Sequence, residues 1–537
     1  MRNRKLTAAI GSGLLVGILA ACGGEDTASD SDGSAGSGES AGSGESGDAP
    51  SGEPWILGTT DTVTALDPAG SYDLGSWTLS YNIYQTLMTI PAGENTPQPD
   101  AAESCDYDDA KTYTCTLQDG LTFSNGNELT SSDVKFSIER NIDIENPNGA
   151  SGLLASVKSI DTPDDTTVTF NLAKPDTTFQ FVLTTATASI VDEETFPADE
   201  LLPDTEVVGS GPFALDQYRA GEQAVLTANE SYQGANQPAS PQVFVQYFGE
   251  SSALKLAAQE NEVDVAWRSL SPTDINDLKE QDSVEVIEGE GSEIRYYVWQ
   301  LANPTAEDVA TRQAVAQIID REAIAERAYD GTVEPLYSIV PPGFPGQIDA
   351  FKGRYGEPDV QAAEQILNDA GIETPVDITL GYTPTHYGPN AVDEASELAD
   401  QLNASDLFTV ELQDAEWEEY QTLYKEGAYD LFHLGWFPDF LDADNYLSPF
   451  VVDGGFYDNN YSSEEANQLV ADEQGASDPA EREAAFADLQ DLVAEDVPLI
   501  PSWVGLNTAI AGPGMEGVEE TLDPSFIFRF WAISKSS

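Results

Sequence analysis

Two histidines, His386 and His433, and three cysteines, Cys22, Cys105 and Cys115, supply all the imidazole and thiol chemistry in this chain of 537 residues. No HExxH or CxxC run occurs, and the GxSxG at Gly38-Glu39-Ser40-Ala41-Gly42 falls in a Gly/Ser-rich stretch with no strand before it or helix after it, so a zinc protease and a serine hydrolase both lack their parts. Asp442-Ala443-Asp444 spaces two carboxylates as a cation site would, but it has neither the glycine nor the closing glutamate of a calcium loop. Gly42, Gly44 and Gly47 spell GxGxxG, yet no strand precedes them and no helix follows, so nothing there would cradle a pyrophosphate. Two carboxylates acting as acid and base, as in glycosidases, stay open on composition, because acids are everywhere; turnover of a sugar or peptide would decide. The expectation is a chain without catalytic residues, metal or cofactor.

The charge balance points the same way. Ninety-five acidic residues face 22 basic ones, a formal net charge of −73. Phosphate would be repelled and no basic patch exists to release counterions, which excludes a nucleic-acid role. An anionic membrane surface is disfavoured for the same reason. Such acidity suits a solvated surface adapted to salty surroundings, where ions screen self-repulsion; a preference for cationic ligands is the other explanation.

The amino terminus carries an address. Arg2, Arg4 and Lys5 precede a largely apolar run, Leu6 to Ala21, that is too short to span a membrane. It ends in Leu19-Ala20-Ala21-Cys22-Gly23, which resembles the bacterial lipobox. That resemblance implies a signal peptide over 1–21, cleavage before Cys22 and a diacylglycerol on its thiol, hence an extracytoplasmic protein anchored to the bacterial cell membrane. The alternative is an ordinary secretory signal with an incidental cysteine. Residues 22–53 are nearly all Gly, Ser, Ala, Asp, Glu, Thr and Pro, with SAGSGE repeated at 34–39 and 40–45. They cannot bury enough apolar surface to offset ordering entropy, so they read as a tether spanning roughly 30 Å root-mean-square.

With Cys22 set aside, Cys105 and Cys115 form an even pair in an oxidising compartment. A polar turn and then Thr112-Tyr113-Thr114 lie between them, so a disulfide-closed hairpin is expected, the alternative being two buried thiols.

Any functional side chains must be held by the body from residue 54 onward; the chain is 40% apolar, and its 21 Phe and 21 Tyr can fill large cores there. Residues 55–60, 168–173 and 243–248 read as strands. Thr130-Ser-Ser-Asp133 is a capping box opening a helix through Ile142. A single long helix is expected from Asp308 to Ala328 with Val315, Ile318, Ile319 and Ala323 inward, and another after the Asp478-Pro479 cap with Phe486, Leu489 and Val493 inward. Helices and strands alternate without strict βαβ repetition, which suggests α/β domains assembled from non-contiguous segments.

Several stretches, in order, resemble the family 5 extracellular solute-binding proteins, the dipeptide- and oligopeptide-binding proteins of ABC importers. They are LQDGLTFSNGNELTSSDVKFSIER (117–140), VVGSGPFAL (207–215), ANESYQG (228–234), NEVDVAW (261–267), VATRQAVAQIIDREAI (309–324), YDLFHLGWFPDFLDADNYL (429–447) and EDVPLIP (495–501). The resemblance implies an α/β, two-lobed periplasmic-binding-protein clamshell of the larger three-domain type. Domain I would comprise 54–95, 205–305 and 500–537, domain II 96–204, and domain III 306–499. It implies a monomer that closes around a short peptide and hands it to the permease subunits of an ABC transporter. An oligosaccharide ligand, or an adhesin or chaperone-like role, are the competing readings.

In peptide-binding relatives the position of Asp439, in Gly435-Trp436-Phe437-Pro438-Asp439, pairs with the peptide α-ammonium. The alternatives for Asp439 are a surface acid or a cation site with Asp442 and Asp444. Trp436 and Phe437 would line side-chain pockets or pack in the core. Some dipeptide-binding relatives carry an Arg near Pro389-Asn390-Ala391 for the ligand carboxylate; here the stretch reads Tyr382-Thr-Pro-Thr-His386-Tyr387-Gly388, without one. His386 and Tyr387 are candidates for that end, His386 as a donor to a carboxylate or carbonyl, and Trp267 and Trp299 are candidate cleft aromatics.

Overall fold

A computed structural model describes residue 50 and residues 52–536 except 269 and 389. The expected signal peptide, Cys22 and nearly all of the tether lie outside the described residues.

Three large sheets carry the described chain, beside two of two strands each. The largest has seven strands in the order Glu285–Gly289, Asn507–Ala511, Val265–Trp267, Trp55–Thr59, Gln242–Tyr247, Gln223–Ala228, Phe213–Arg219. Trp55–Thr59 lies in the middle, parallel to both neighbours and largely buried, which is why it reads as an apolar run without alternation. The second sheet has six strands, Val333–Pro335, Leu499–Gly505, Ile294–Trp299, Leu431–Trp436, Val376–Tyr382, Phe408–Asp414. The third is antiparallel and four-stranded: Ala102–Asp109, Thr112–Leu117, Thr167–Leu172, Val157–Asp161. It lies inside the segment 96–204, and its two central strands alternate buried and half-buried positions as a one-faced sheet must. Cys105 and Cys115 face each other in its first hairpin and are disulfide-bonded. By the chain-entropy argument the small loop they close contributes about 2–3 kcal/mol.

Helix Ser131–Ile144 opens on the expected capping box: Thr130 Oγ1 accepts from Ser132 N at 3.3 Å, and Thr130 N donates to Asp133 Oδ2 at 2.8 Å. Helix Pro479–Asp496 begins after Asp478, which accepts from Ala480 N, and buries Phe486, Leu489 and Val493. The single helix expected over 308–328 is instead two, Val309–Ile318 and Arg321–Tyr329. Asp320 breaks it: its carboxylate accepts from Ala323 N at 2.9 Å and caps the second helix, while Ile319 turns extended. A mid-pattern Asp offers the backbone a partner outside the helix.

The six-stranded sheet takes in strands from both sides of the positions 305/306 and 499/500. Ile294–Trp299 and Leu499–Gly505 are neighbours inside the six-stranded sheet, not the seven-stranded one. The chain changes sheet at 290–293 and again at Leu506. Both strands are buried at every position, so no alternation marks which sheet they join. The two crossings touch: Gly505 N donates to Glu293 O at 2.8 Å, and a Cβ on Gly291 would lie 2.1 Å from Gly505 O. Only glycine permits that approach.

Candidate functional site

Beside the crossings a cleft of about 620 Å³ opens between the sheets, within the range of small-ligand sites. Its far wall begins in the register of two strands. Ile294–Trp299 runs antiparallel to Leu431–Trp436, which sets Arg295 opposite Gly435. A Cβ on Gly435 would stand 2.4 Å from Arg295 Nη1, so this glycine makes room for a guanidinium. Arg295 is buried, pairs with Glu293, and has its Cζ 4.3 Å from the Tyr387 ring centroid and 5.0 Å from that of Trp503. Its Nε has no hydrogen-bond partner among the described residues.

After Trp436 the chain leaves the sheet and spreads over all three cores. Phe437 packs on that of the seven-stranded sheet, Phe440 on that of the four-stranded sheet and Leu441 on that of the six-stranded one. Asp439 is held between them. Asn445 Oδ1 accepts from Asp439 N at 2.8 Å and from Trp436 Nε1 at 3.0 Å, while Asn445 Nδ2 donates to Asp439 Oδ2 at 3.1 Å. Tyr72 Oη donates to Asp439 Oδ1 at 2.6 Å. The segment is pinned further on, where Arg482 makes a two-pronged pair with Asp442 at 2.6 and 2.7 Å and meets Glu473 at 3.1 Å.

The partners of Asp439 are thus neutral donors, and no cationic side chain pairs with it among the described residues. Burial pushes its carboxyl up to about 6, against the opposing effect of the Tyr72 and Asn445 hydrogen bonds. The side chain is only half-buried at the cleft wall, so solvent moderates that shift. This is a carboxylate arranged to gain from an incoming cation.

His386 and Tyr387 line the same cleft. The His386 ring lies flat on Trp417, 3.8 Å between centroids and 2° between planes. Burial under Trp417 and neighbouring groups, and then the charge of Arg295, lower its pKa to about 4, an effect tempered by the exposure of the rest of the side chain. His386 therefore meets a ligand as a neutral imidazole. Trp436 and Phe437 also face the cleft, half-buried, with Phe456 beyond Trp436 at 5.8 Å.

Trp267 and Trp299 do not. Trp267 is buried beneath the cleft, stacked on Phe528 at 4.4 Å, with its N–H on Asn507 Oδ1 at 2.9 Å. Trp299 is sealed in the six-stranded sheet. Arg268, the residue after Trp267, reaches the cleft instead: it pairs with Asp61 at 3.1 Å and its Cζ lies 4.8 Å from the Phe437 ring centroid. Sequence reasoning missed Arg268, Arg295, Tyr72, Trp417 and Trp503. A signal existed for the two arginines, because Arg295 interrupts an apolar strand and Arg268 directly follows one, in a chain with only 22 basic residues.

Behind the wall sits a buried acid. Glu394, in the first turn of helix Ala391–Ala404, accepts from Tyr297 Oη and Ser502 Oγ on Oε1, both at 2.8 Å. On Oε2 it accepts from Tyr329 Oη at 2.7 Å and Trp503 Nε1 at 2.9 Å, and His433 Nε2 stands 3.3 Å away. Burial alone would raise its pKa, but His433 and these donors hold it at about 2. Tyr329 and Trp503 are cleft residues, so Glu394 anchors the wall on which Arg295 is stacked.

Mixed sheets joined by two short adjacent crossings, with a ligand-sized aromatic cleft beside them, define a two-lobed solute-binding protein. A family profile for bacterial extracellular solute-binding proteins, family 5, matches residues 96–458, and the chain belongs to that family. Its members are carriers that serve ABC importers, not enzymes. The chain is 26% identical over 461 residues to a probable D,D-dipeptide-binding periplasmic protein of Escherichia coli, covering 83% of this chain and 87% of that one. It is 28% identical over 403 residues to the dipeptide-binding protein of the same organism, covering 69% and 73%. The fold matches that of a Helicobacter pylori ABC transporter-associated periplasmic binding protein solved with the peptide STSA, with a TM-score of 0.76, 23% identity and coverage of 90% and 98%. No helix among the described residues is long and apolar enough to cross a membrane.

Proposed function

We propose that this protein captures short peptides by their free α-amino group and delivers them to the membrane subunits of an ABC importer, tethered outside the cell membrane by lipid on Cys22. The observation that carries the reading is Asp439, a carboxylate in an aromatic cleft whose partners are all neutral. An ammonium there makes a charge-assisted bond in a site that ligand and closure keep dry. The names of the relatives support a peptide in preference to other solutes. The far end of the ligand, a carboxylate, would meet the guanidinium face of Arg295 or Arg268 in place of His386.

Mass spectrometry of ligands released by denaturing natively purified protein tests the class directly; peptides with free amino termini are expected. Recovery of sugars instead would favour the oligosaccharide reading, which the flat His386–Trp417 stack and the Trp436 face also suit. The anchor has its own test. Cys22→Ala is expected to move the protein from the membrane fraction to the soluble one, and unchanged retention would remove the lipid from the proposal.

A further inference from the structure

Tyr72 and Asp439 are 367 residues apart in sequence and come from opposite walls of the cleft. Tyr72 lies in the turn that leads into helix Leu74–Ile83, whose Leu79 and Ile83 pack in the core of the seven-stranded sheet. Asp439 follows the strand Leu431–Trp436 of the six-stranded sheet. Their hydrogen bond is therefore a bridge between walls. The Tyr72 ring is backed by Trp77 at 5.8 Å, and Trp77 Nε1 is tied to Ser71 O at 3.3 Å, so the phenol is aimed and not merely adrift.

Two features of this bridge suit a ligand. Tyr72 remains 48% exposed although it is a large ring, and its open surface faces the cleft. A hydrogen bond so exposed biases the walls toward each other without locking them, since water competes for both partners. Donating to Asp439 uses the only hydrogen of the phenol but leaves its oxygen free to accept. An ammonium has three N–H donors, enough to reach Asp439 and the Tyr72 oxygen together, and the ligand that brings it covers the bridge from water. We propose that Tyr72 is the second contact for the ligand ammonium and the latch through which that contact draws the two walls together. This rests on the peptide reading of the same cleft.

The test uses ligand-stripped full-length protein, wild type against Tyr72→Phe, with Ala-Phe and N-acetyl-Ala-Phe as probes. The phenylalanine keeps the ring on Trp77 and removes only the hydroxyl. Loss of a hydrogen bond to a charged group predicts weaker Ala-Phe binding on the order of 10- to 100-fold, read mainly as faster dissociation. Binding of the acetylated probe should not change. In a double-mutant cycle Tyr72→Phe should add little to Asp439→Asn, because the two act as one unit. Wild-type affinity of Tyr72→Phe for Ala-Phe, or losses that simply add, would overturn the latch. Should wild type bind neither probe, the peptide reading fails first, and solution scattering of the stripped proteins decides the rest. A larger radius of gyration in Tyr72→Phe keeps Tyr72 as a wall-to-wall latch; identical scattering removes it.

Discussion

Gly435 and Arg295 face each other across two strands of the six-stranded sheet, and the guanidinium occupies the place where a Gly435 side chain would begin. The glycine of the Gly435–Asp439 run is thus a packing requirement of the opposite strand as well as a lead-in to Asp439. It places a buried cation between Tyr387 and Trp503, beside the segment that carries Asp439.

Gly435→Ala should therefore displace Arg295 and disturb the cleft without touching Asp439. Crowding of this kind costs about 1–3 kcal/mol. Arg295→Ala alone should weaken ligand binding, and adding Gly435→Ala to it should cost little more, because the clash has lost its partner. Melting curves of the two single variants and the double one check this. Equal destabilisation by Gly435→Ala in both backgrounds would show that the glycine answers to something else.

Glu394 makes a pH-dependent prediction. Its carboxyl is held at about 2, below its ordinary value of 4.5. A depressed folded-state value means stability that is fully present above about 4.5 and lost as pH falls through about 2. Glu394→Gln replaces a charged acceptor of four hydrogen bonds with an amide that matches fewer, at a cost of about 3 kcal/mol near neutrality. The gap between wild type and variant should close as the pH drops from 4.5 toward 2. Denaturant titrations across that range measure it; a gap independent of pH would mean that shape, not charge, is what Glu394 supplies.

Much of the scaffold was legible because local signals were complete. The Thr130–Asp133 box and the Asp478-Pro479 cap are each stated within four residues, and both open helices. The hairpin of Cys105 and Cys115 was equally local. Sheet membership was not, because Ile294–Trp299 and Leu499–Gly505 are buried throughout and their partners are set by pairing across two hundred residues. The same cause misplaced Trp299, which lies on a strand with no exposed position to mark a cleft side. Trp267 failed by one residue: the strand ends there, and it is Arg268 that emerges at its end. Tyr72 carried no signal at all, since its meaning depends on a partner 367 positions away.

Salt should stabilise the folded protein. Ninety-five acids share 22 basic residues, so most carboxylates have no cation to pair with and repel one another. The screening length falls from about 10 Å at 0.1 M to about 3 Å at 1 M, which removes most of that repulsion. The melting temperature is expected to climb steadily over that interval with a salt such as potassium chloride. A flat profile would mean that the acids are spaced widely enough to be screened already.

Asp439 has consequences for both binding and stability, and they run in opposite directions. Its carboxyl titrates at about 6, above its ordinary 3.8, with burial as the largest cause. A raised value for a carboxyl means that its ionised form is a liability to the empty folded protein, absent below about 3.8 and fully felt above about 6. Asp439→Asn should therefore melt slightly higher than wild type at pH 8, by on the order of 1 kcal/mol given the solvent contact of the side chain, and no higher at pH 3.5. The proposed ammonium contact needs the ionised form. Affinity for a peptide with a free amino terminus should fall as pH drops through about 6, approaching about tenfold per unit, while an N-acetylated peptide should show no such slope. At pH 8, Asp439→Ala leaves the ammonium buried without its counter-charge, a cost of roughly 3–5 kcal/mol or on the order of 10²–10³-fold or more in affinity. Asp439→Asn, which keeps shape and one acceptor, should lose somewhat less and should bind with no inflection near pH 6. Calorimetry on wild type and both variants, with free and acetylated forms of one peptide, separates these outcomes. Equal binding of the two forms by wild type would strip Asp439 of the ammonium and turn the cleft toward a neutral, sugar-like ligand.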